Sequence, residues 1–430
     1  MLTDDLRRCV ESGKGFKDLY APGARLEARL PGGVSDSAAV DAMAELYPPG
    51  GEILDWREGA FGPQTAEFEW GRDGAVTRAM HWLHGDDRVT RHIVFSARPQ
   101  GDRFDPARLT PALLRDAVDR GPLRHNGVSG ASLEWAVMPD GHRLVVKRIS
   151  AAWDWVMRAT ADDGREARLW LDGTLGRLPG TIDCPVVEVE QDEPGWAVAM
   201  RDVSDLLLPG APISREQSRR VLDGYAAVHR AFQGVKADGL CTLLDRYRLF
   251  SPATAAREVG GVDVTPKLAS RGWERYHDVV PPDVAEAMAA LHDDPAPLVH
   301  QLEGCAATLI HGDARLPNIG LEDGRVVLLD WALVCEAPPA IEFTFLLMNN
   351  PGRFAATRDE MVEDFAAASR DGFDPRALDL AMIGELAGAW HLPLGISDHP
   401  APMVRMFLQS ELDWWVTRVR DALTRTWSPI

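Results

Sequence analysis

The chain has 430 residues, of which 45% are hydrophobic, so it can bury the cores of roughly two or three folded units. Its 65 acidic residues outnumber 46 lysines and arginines, and the net charge of -19 argues against nucleic acid as a partner. The sequence has no apolar run of about 18 residues, no apolar secretory signal and no metal-ligand spacing among its cysteines. We therefore expect a cytoplasmic protein that does not bind membranes.

Residues 1–100 are predicted to form one α+β domain. A short helix is expected from residue 6 to residue 9, continuing toward residue 16. A second helix is expected from Ser37 to Tyr47, with Ser35 or Asp36 as its cap and two prolines at its end. This second helix could cover one face of a sheet.

The sheet is predicted from three alternating segments, 66–70, 75–80 and 88–95, separated by the turns 72–74 and 85–87. The resulting order resembles the cone-shaped nuclear-transport-factor-two-like fold of polyketide cyclases. That resemblance implies a curved antiparallel sheet and a possible homodimer formed through this domain. The polar and aromatic candidates for a site in such a cone are Asp18, Asp55, Trp56, His81 and His92. Their spacing demands no particular chemistry, so no reaction is assigned to this domain.

A linker is predicted at residues 101–106, because glycine and proline punctuate it, and a new helix should begin near residue 110. The following segment carries Gly127, Ser129 and Gly130 before an alternating strand. Glycines allow backbone amides to approach phosphates closely. After a turn at residues 139–141, a β-branched strand ends at Lys147, whose amine could reach the α- and β-phosphates of ATP.

Farther along, a strong helix is predicted from Ser214 to Phe232, where Ser214 and Gln217 form a capping box. More helices are expected at residues 282–291 and 296–304, and the chain after residue 330 should be mostly helical.

The most informative segment is His311-Gly312-Asp313, with Asn318 five residues later and Asp330 at the end of an apolar strand. A turn at residues 321–325 should fold this strand back as a hairpin, which brings Asp330 toward Asn318. Phosphoryl transfer needs a carboxylate beside the attacking hydroxyl and oxygen ligands for magnesium. The side chains of Asp313, Asn318 and Asp330 supply the carboxylate and the oxygen ligands.

This motif resembles that of the aminoglycoside and antibiotic phosphotransferase family, whose members have a protein-kinase-like fold. The resemblance spans about residues 108–425. It implies that Asp313 is the catalytic base and that Asn318 and Asp330 bind Mg²⁺. It also implies that Arg315 could stabilise charge near the base, although Arg315 could equally support the loop from the solvent side.

The same resemblance implies that a helix carboxylate holds Lys147. Glu166 is the best candidate, and the three alternatives are Asp162, Asp163 and Asp172. The resemblance further implies a hinge that contacts the nucleotide base through its backbone. The residues assigned to this hinge are Met200, Arg201 and Val203.

One position departs from the family pattern. Many relatives tie down the catalytic loop with an aspartate after the magnesium site, whereas this chain has Glu342, which is one methylene longer. This departure makes the anchoring of the loop less certain than in those relatives.

The predicted fold is α+β, a bilobal kinase-like fold preceded by a small cone-shaped domain. Its expected domains are residues 1–100, a nucleotide-binding lobe at 108–204 and a helical catalytic lobe at 205–430. The expected function is ATP- and Mg²⁺-dependent phosphorylation of a hydroxyl of a small molecule such as an antibiotic, with GTP as an alternative donor. A second hypothesis is a nucleotide-binding scaffold whose N-terminal cone binds or isomerises a small apolar ligand. Protein phosphorylation ranks lower, because no A-P-E pattern follows Asp330.

Overall fold

The computed structural model describes residues 2–12, 14–30, 33–37, 51–58, 65–72, 75–84, 88–96, 114–123, 129–192, 194–208, 211–235, 237–261 and 263–427. The chain divides into two compact units, each drawn from separate ranges of the sequence. The first unit draws on residues 1–108, 255–279 and 391–410, and the second on residues 109–254, 280–390 and 411–430.

The strands, in chain order, are β1 (Tyr20–Leu30), β2 (Gly33–Ser37), β3 (Glu52–Glu58), β4 (Thr65–Arg72), β5 (Ala75–His84), β6 (Arg88–Ser96), β7 (Asp119–Leu123), β8 (Ser132–Val137), β9 (Arg143–Ile149), β10 (Ile182–Asp183), β11 (Val186–Asp192), β12 (Gly195–Arg201), β13 (Thr308–Ile310), β14 (Ile319–Glu322), β15 (Arg325–Leu328) and β16 (Cys335–Ala337).

The α-helices are α1 (Leu2–Ser12), α2 (Trp155–Ala159), α3 (Arg165–Leu171), α4 (Arg215–Ala231), α5 (Leu243–Arg248), α6 (Pro252–Glu258), α7 (Val264–Val279), α8 (Pro282–Asp293), α9 (Ala296–Glu303), α10 (Pro339–Met348), α11 (Arg358–Ser369), α12 (Pro375–Ala387), α13 (His391–Asp398) and α14 (Pro402–Arg425). Within the described ranges, no helix is both long enough and apolar enough to cross a membrane.

The first unit contains a six-stranded sheet with the order β2-β1-β6-β5-β4-β3. The predicted meander is confirmed, because β4 pairs antiparallel with β5, and β5 with β6. The sheet is nevertheless mixed, since β1 pairs parallel with β6. This parallel pair is possible because the intervening strands give the long connection that parallel neighbours need. Among the cone candidates, His81 and His92 are cross-strand neighbours.

Two local predictions for this unit were wrong. Ser35 and Asp36 do not cap a helix, because they pair with β1 in strand β2, which continues through Ser37. Residues 38–47 of the predicted helix lie outside the described residues. The first helix ends at Ser12, before a left-handed Gly15 and a separate 3-10 turn at Phe16–Asp18.

The second unit contains a five-stranded antiparallel sheet with the order β11-β12-β9-β8-β7. The predicted turn after β8 is present, with Gly141 in the left-handed region at φ 85°. Helix α3 packs on β11 and β12, and its Ala167 is buried in one core with Ile149 and Val198. This packing brings the first turn of α3 beside the end of β9, where Lys147 lies.

The helical part of this unit supports the short loop that begins at His311. Helix α4 begins at the predicted capping box of Ser214 and Gln217. The helix contacts β13 and β15, and Thr308 in β13 donates a hydrogen bond to the carbonyl of His229 at 2.7 Å. Gly224 allows α4 to lie close to β15, because a Cβ at position 224 would be only 2.7 Å from the side chain of Val326. Strand β13 leads directly into the loop that begins at His311.

Candidate active site

Lys147 forms the centre of one half of the candidate site, which lies within the second unit. Its Nζ is 3.0 Å from Oε2 of Glu166 and 2.7 Å from Oδ1 of Asp330. Glu166 lies in the first turn of α3, and its other oxygen accepts a hydrogen bond from the backbone N–H of Trp331 at 3.3 Å. One lysine and one glutamate therefore join the sheet, helix α3 and the segment that follows β15.

The charges in this cluster stabilise one another. Burial alone would lower the pKa of Lys147, but Asp330 and Glu166 raise it above its ordinary value. Burial would raise the pKa of Asp330, yet Lys147 and the more distant Arg315 bring it below its ordinary value. Lys147 is therefore a cation and Asp330 an anion at neutral pH.

The alternatives to Glu166 have other partners. Asp162 accepts hydrogen bonds from the backbone N–H groups of Gly164 and Arg165 at 2.8 and 2.6 Å, at the N-terminus of α3. Asp163 pairs with Arg168, and Asp172 accepts the N–H of Thr174 at 2.8 Å.

The hairpin of β14 and β15 positions the two predicted magnesium ligands. Ile319 pairs with Leu328, and the N–H of Leu329 donates to the carbonyl of Asn318 at 2.9 Å. Asp330 follows at φ 67°, a left-handed conformation that a short polar side chain tolerates better than most. Asn318 and Asp330 consequently lie at the same end of the hairpin, as the sequence predicted.

Asp313 forms the second half of the site, and its side chain is 6% exposed. Arg315 donates from Nε to Oδ1 at 2.7 Å and from Nη2 to Oδ2 at 2.5 Å. Asn318 donates from Nδ2 to Oδ2 of Asp313 at 2.8 Å. Arg315 therefore lies against the carboxylate itself, and its side chain is 28% exposed, so its contacts are compatible with both roles expected from the sequence. Burial alone would lower the pKa of Arg315, but Asp313 raises it above its ordinary value.

Glu342 in α10 anchors the loop that contains His311, Gly312 and Asp313. Its two oxygens accept the backbone N–H groups of His311 and Gly312 at 2.7 and 2.9 Å, and its side chain is 1% exposed. Burial would raise the pKa of Glu342, but its hydrogen bonds and the nearby His229 and His311 hold it below its ordinary value. The longer glutamate thus makes the contact that was in doubt from the sequence.

The ring of His311 spans the base of the loop. Its Nε2 is 2.9 Å from the carbonyl oxygen of Leu329, and its Nδ1 is 3.3 Å from the backbone N–H of Asp313. These partners assign the ring proton to Nε2, because a carbonyl accepts and an N–H donates. His311 therefore links the loop of Asp313 to the strand end that carries Asp330.

The predicted nucleotide-binding segments are only partly described. Gly127 lies outside the described residues. Ser129 accepts a hydrogen bond from the backbone N–H of Trp155 at 3.2 Å, and Gly130 has a φ of 124° that favours glycine. These contacts fix the C-terminal end of the glycine-containing segment.

The predicted hinge follows β12. Met200 is buried opposite Val145, the side chain of Arg201 pairs with Asp183, and Val203 is 5% exposed. A nucleotide contact by this segment would therefore involve its backbone rather than the side chain of Arg201.

Two supporting residues were missed by sequence reasoning. Asn350 accepts the N–H of Leu316 at 2.9 Å and donates to the carbonyl of Ala314 at 3.1 Å. Arg246 donates from Nη1 to the carbonyl of Gly312 at 2.5 Å. Neither residue belongs to a local motif, since both reach the loop from helices or helix ends that are distant in sequence.

The sequence profile of the phosphotransferase enzyme family matches residues 128–380, which is more than half of the chain. This match includes Ser129, Lys147 and the segment from His311 to Asp330. A search of curated proteins found no significant match.

Among solved structures, the chain is similar to aminoglycoside phosphotransferase APH(3'')-Id from Streptomyces rimosus, with 18% identity, a TM-score of 0.41 and coverage of 64% of this chain and 94% of that one. It is also similar to choline kinase LicA from Streptococcus pneumoniae, with 13% identity, a TM-score of 0.41 and coverage of 73% and 94%. Macrolide 2'-phosphotransferase MphH from Brachybacterium faecium shows 18% identity, a TM-score of 0.37 and coverage of 68% and 92%. At these identities and TM-scores, none of the three likenesses bears on the substrate.

Proposed function

Because the chain belongs to the phosphotransferase enzyme family, we propose that it transfers the γ-phosphoryl group of ATP to a hydroxyl of a small molecule. The observation that carries this proposal is the pair of linked ion clusters. Lys147 with Glu166 and Asp330 forms one cluster, and Asp313 with Arg315 forms the other. His311 and the β14–β15 hairpin connect the two.

The oxygen donors of this site fit Mg²⁺, which prefers carboxylate and amide oxygens. Asn318 directs its amide nitrogen to Asp313, which leaves the amide oxygen without a hydrogen-bond partner among the described residues. Asp330 uses Oδ1 for Lys147 and is 29% exposed. In this proposal Asn318 and Asp330 hold the ion, which when bound would neutralise negative charge on the phosphate oxygens.

In this proposal the nucleotide binds beside Lys147 of the same cluster. Lys147 is fixed by Glu166 and can attract the non-transferred phosphates, while Ser129 and Gly130 offer backbone groups of the kind that approach phosphates. The hinge at residues 200–203 would contact the base. ATP is the proposed donor, and GTP is tested beside it.

Asp313 would accept or orient the proton of the acceptor hydroxyl. Its carboxylate is already held by Arg315 and Asn318, so its direction is fixed before the acceptor binds. Arg315 would hold the carboxylate in place and could exchange part of its contact for the phosphoryl group as Asp313 takes up the hydroxyl proton and loses its negative charge. The acceptor then needs only to place its hydroxyl within hydrogen-bond distance of Asp313.

Direct measurement of phosphoryl transfer tests this function. The purified protein is incubated with Mg²⁺, ATP or GTP, and panels of aminoglycosides, macrolides, nucleoside antibiotics and simple amino alcohols, and products are identified by mass. We expect one class of acceptor to gain a phosphate, and an Asp330→Ala protein to lose this activity. The proposal fails if no panel member stimulates nucleotide consumption and the first hundred residues instead bind or isomerise an apolar compound.

The predicted domain of residues 1–100 has no assigned reaction. We keep as a proposal that it is a nuclear-transport-factor-two-like domain through which two chains associate, and the mass of the protein in solution tests the dimer. A monomer at all concentrations would remove this part of the proposal without affecting phosphoryl transfer.

A further inference from the structure

Arg165 is a buried arginine that precedes Glu166 in the first turn of α3. Its side chain is 3% exposed, and all three nitrogens of its guanidinium group donate hydrogen bonds to backbone carbonyl oxygens. Nε donates to Gly239 at 3.0 Å, Nη2 donates to Thr160 at 3.1 Å, and Nη1 donates to Ala332. Arg165 therefore ties the beginning of α3 to two segments that are distant from it in sequence.

The contact with Ala332 places Arg165 beside a proposed magnesium ligand. Ala332 is the middle residue of the 3-10 turn that begins immediately after Asp330. Arg165 donates to the carbonyl of Ala332, and Glu166 accepts the N–H of Trp331 at 3.3 Å. Two consecutive residues of α3 thus hold an acceptor and a donor of the same short turn. A displacement of α3 would consequently disturb Glu166 and Asp330 together.

The position of α3 depends on such contacts. The helix has only seven residues, and so short a helix has little stability of its own. Before it, Ala161 adopts a φ of 48°, which is unfavourable for alanine and persists only where the surrounding structure imposes it. Asp162 holds Arg165 locally, because its Oδ1 accepts the N–H of Arg165 at 2.6 Å and its Oδ2 lies 3.3 Å from Nη1. The guanidinium is thus fixed before it reaches Ala332.

The chemistry of this position requires arginine. A guanidinium group presents its donors in a rigid planar fork, whereas a lysine ammonium is a single point charge. Each of the three nitrogens of Arg165 has its own carbonyl partner, so one ammonium nitrogen cannot reproduce the set of contacts. Arg165→Lys therefore keeps the buried charge but loses most of the connections between α3 and the other two segments.

We infer that Arg165 is a positioning residue that holds α3 against the turn after Asp330 and so keeps Glu166 and Lys147 aligned with Asp330 for binding of ATP with Mg²⁺. This inference rests on the proposed phosphotransferase function. Arg165 does not need to touch the nucleotide, because it acts through Glu166 and through the backbone of the turn.

The first test measures the affinity for ATP in the presence of Mg²⁺ by calorimetry, well below the unfolding midpoint of each variant. Arg165→Lys and Arg165→Met should each bind about tenfold more weakly, the effect of roughly one lost charge-assisted hydrogen bond. KM for ATP should rise by a similar factor, while KM for the acceptor stays unchanged. Arg165→Lys serves where Arg165→Met does not fold, as judged by circular dichroism.

The matched control is Arg168→Met in the same helix. Arg168 is 50% exposed and pairs with Asp163, so its replacement should leave the ATP affinity as in wild type. Wild-type affinity in folded Arg165→Lys and Arg165→Met would overturn the inference.

A double-mutant cycle separates positioning from general stabilisation. Glu166→Gln is measured in the wild-type and Arg165→Lys backgrounds. If Arg165 acts through the placement of Glu166, the double variant should lose little more ATP affinity than the weaker-binding single variant. Fully additive losses would contradict the positioning role, because the two residues would then act independently.

Amide hydrogen exchange of the protein without nucleotide gives a readout that needs neither activity nor ATP binding. Arg165→Lys should accelerate exchange at residues 331–334, while the β14–β15 hairpin remains as in wild type. Unchanged exchange at residues 331–334 would contradict the inference even if no acceptor were known. Accelerated exchange there, in a protein whose wild type neither binds ATP nor transfers phosphate, would instead count against the proposed function alone.

Discussion

Replacing Glu342 tests how the catalytic loop is anchored. Glu342→Gln keeps one acceptor oxygen, so one of the two buried N–H groups, of His311 or Gly312, loses its partner. An unsatisfied buried donor costs about 1–3 kcal/mol, so the free energy of unfolding should fall by about that amount. Glu342→Ala leaves both donors unsatisfied and should cost roughly twice as much. kcat should fall in the same order.

The assay is urea-induced unfolding followed by tryptophan fluorescence, with kcat measured on the same preparations. Glu363→Gln is the control, because Glu363 is exposed on α11 and should change stability by less than about 0.5 kcal/mol. If Glu342→Gln and Glu342→Ala both matched this control, the two backbone hydrogen bonds would not anchor the loop.

The pH dependence of this effect follows from the lowered pKa of Glu342 in the folded protein. The pKa of an unfolded glutamate is about 4.3. Because folding lowers it, the stabilisation is fully present above that value and is lost as the pH falls through the folded pKa. The difference in unfolding free energy between wild type and Glu342→Gln should be constant near neutral pH and shrink below about pH 4.

Two further substitutions test the rest of the site. Lys147→Met leaves the buried Glu166 and the partly exposed Asp330 without their shared cation, so it should cost about 3–5 kcal/mol in urea unfolding. The variant should also bind ATP more weakly in calorimetry, and equal ATP affinity would remove Lys147 from the proposed nucleotide site. Gly312→Ala places a Cβ 2.0 Å from the carbonyl oxygen of Leu333 at φ 86°, so the variant should be destabilised by more than about 3 kcal/mol. Gly324→Ala, at φ 75° with no atom within 4 Å of its Cβ, should cost only about 1 kcal/mol. Similar losses for both glycines would show that backbone strain, rather than the close approach, dominates at Gly312.

Local signals predicted much of the second unit. The capping box of Ser214 and Gln217, the β14–β15 hairpin and the strand that carries Lys147 each depend on residues that are near one another in sequence. The predicted hairpin alone implied that Asn318 and Asp330 lie at the same end of it, and the structure confirms this placement.

Other features depend on distant contacts and left no local signal. Ser35 and Asp36 have the side chains of helix caps, but pairing with β1 places them in a strand. Arg246 reaches Gly312 across 66 positions of sequence, and its role depends on how α5 packs against α10. Glu342 was identified by its place after the predicted magnesium ligands, but only the structure shows that its longer side chain reaches both N–H groups.

The most direct test of the central claim is the rate of phosphoryl transfer by Asp313→Asn. With the acceptor found by screening, this variant should lose a factor of about 10² or more in kcat, because asparagine cannot accept the hydroxyl proton. ATP affinity should stay close to that of wild type, and Asp323→Asn, at an exposed position in the hairpin turn, should have wild-type kcat. Undiminished acceptor-dependent ATP turnover by Asp313→Asn would contradict the assignment of this loop as the catalytic centre.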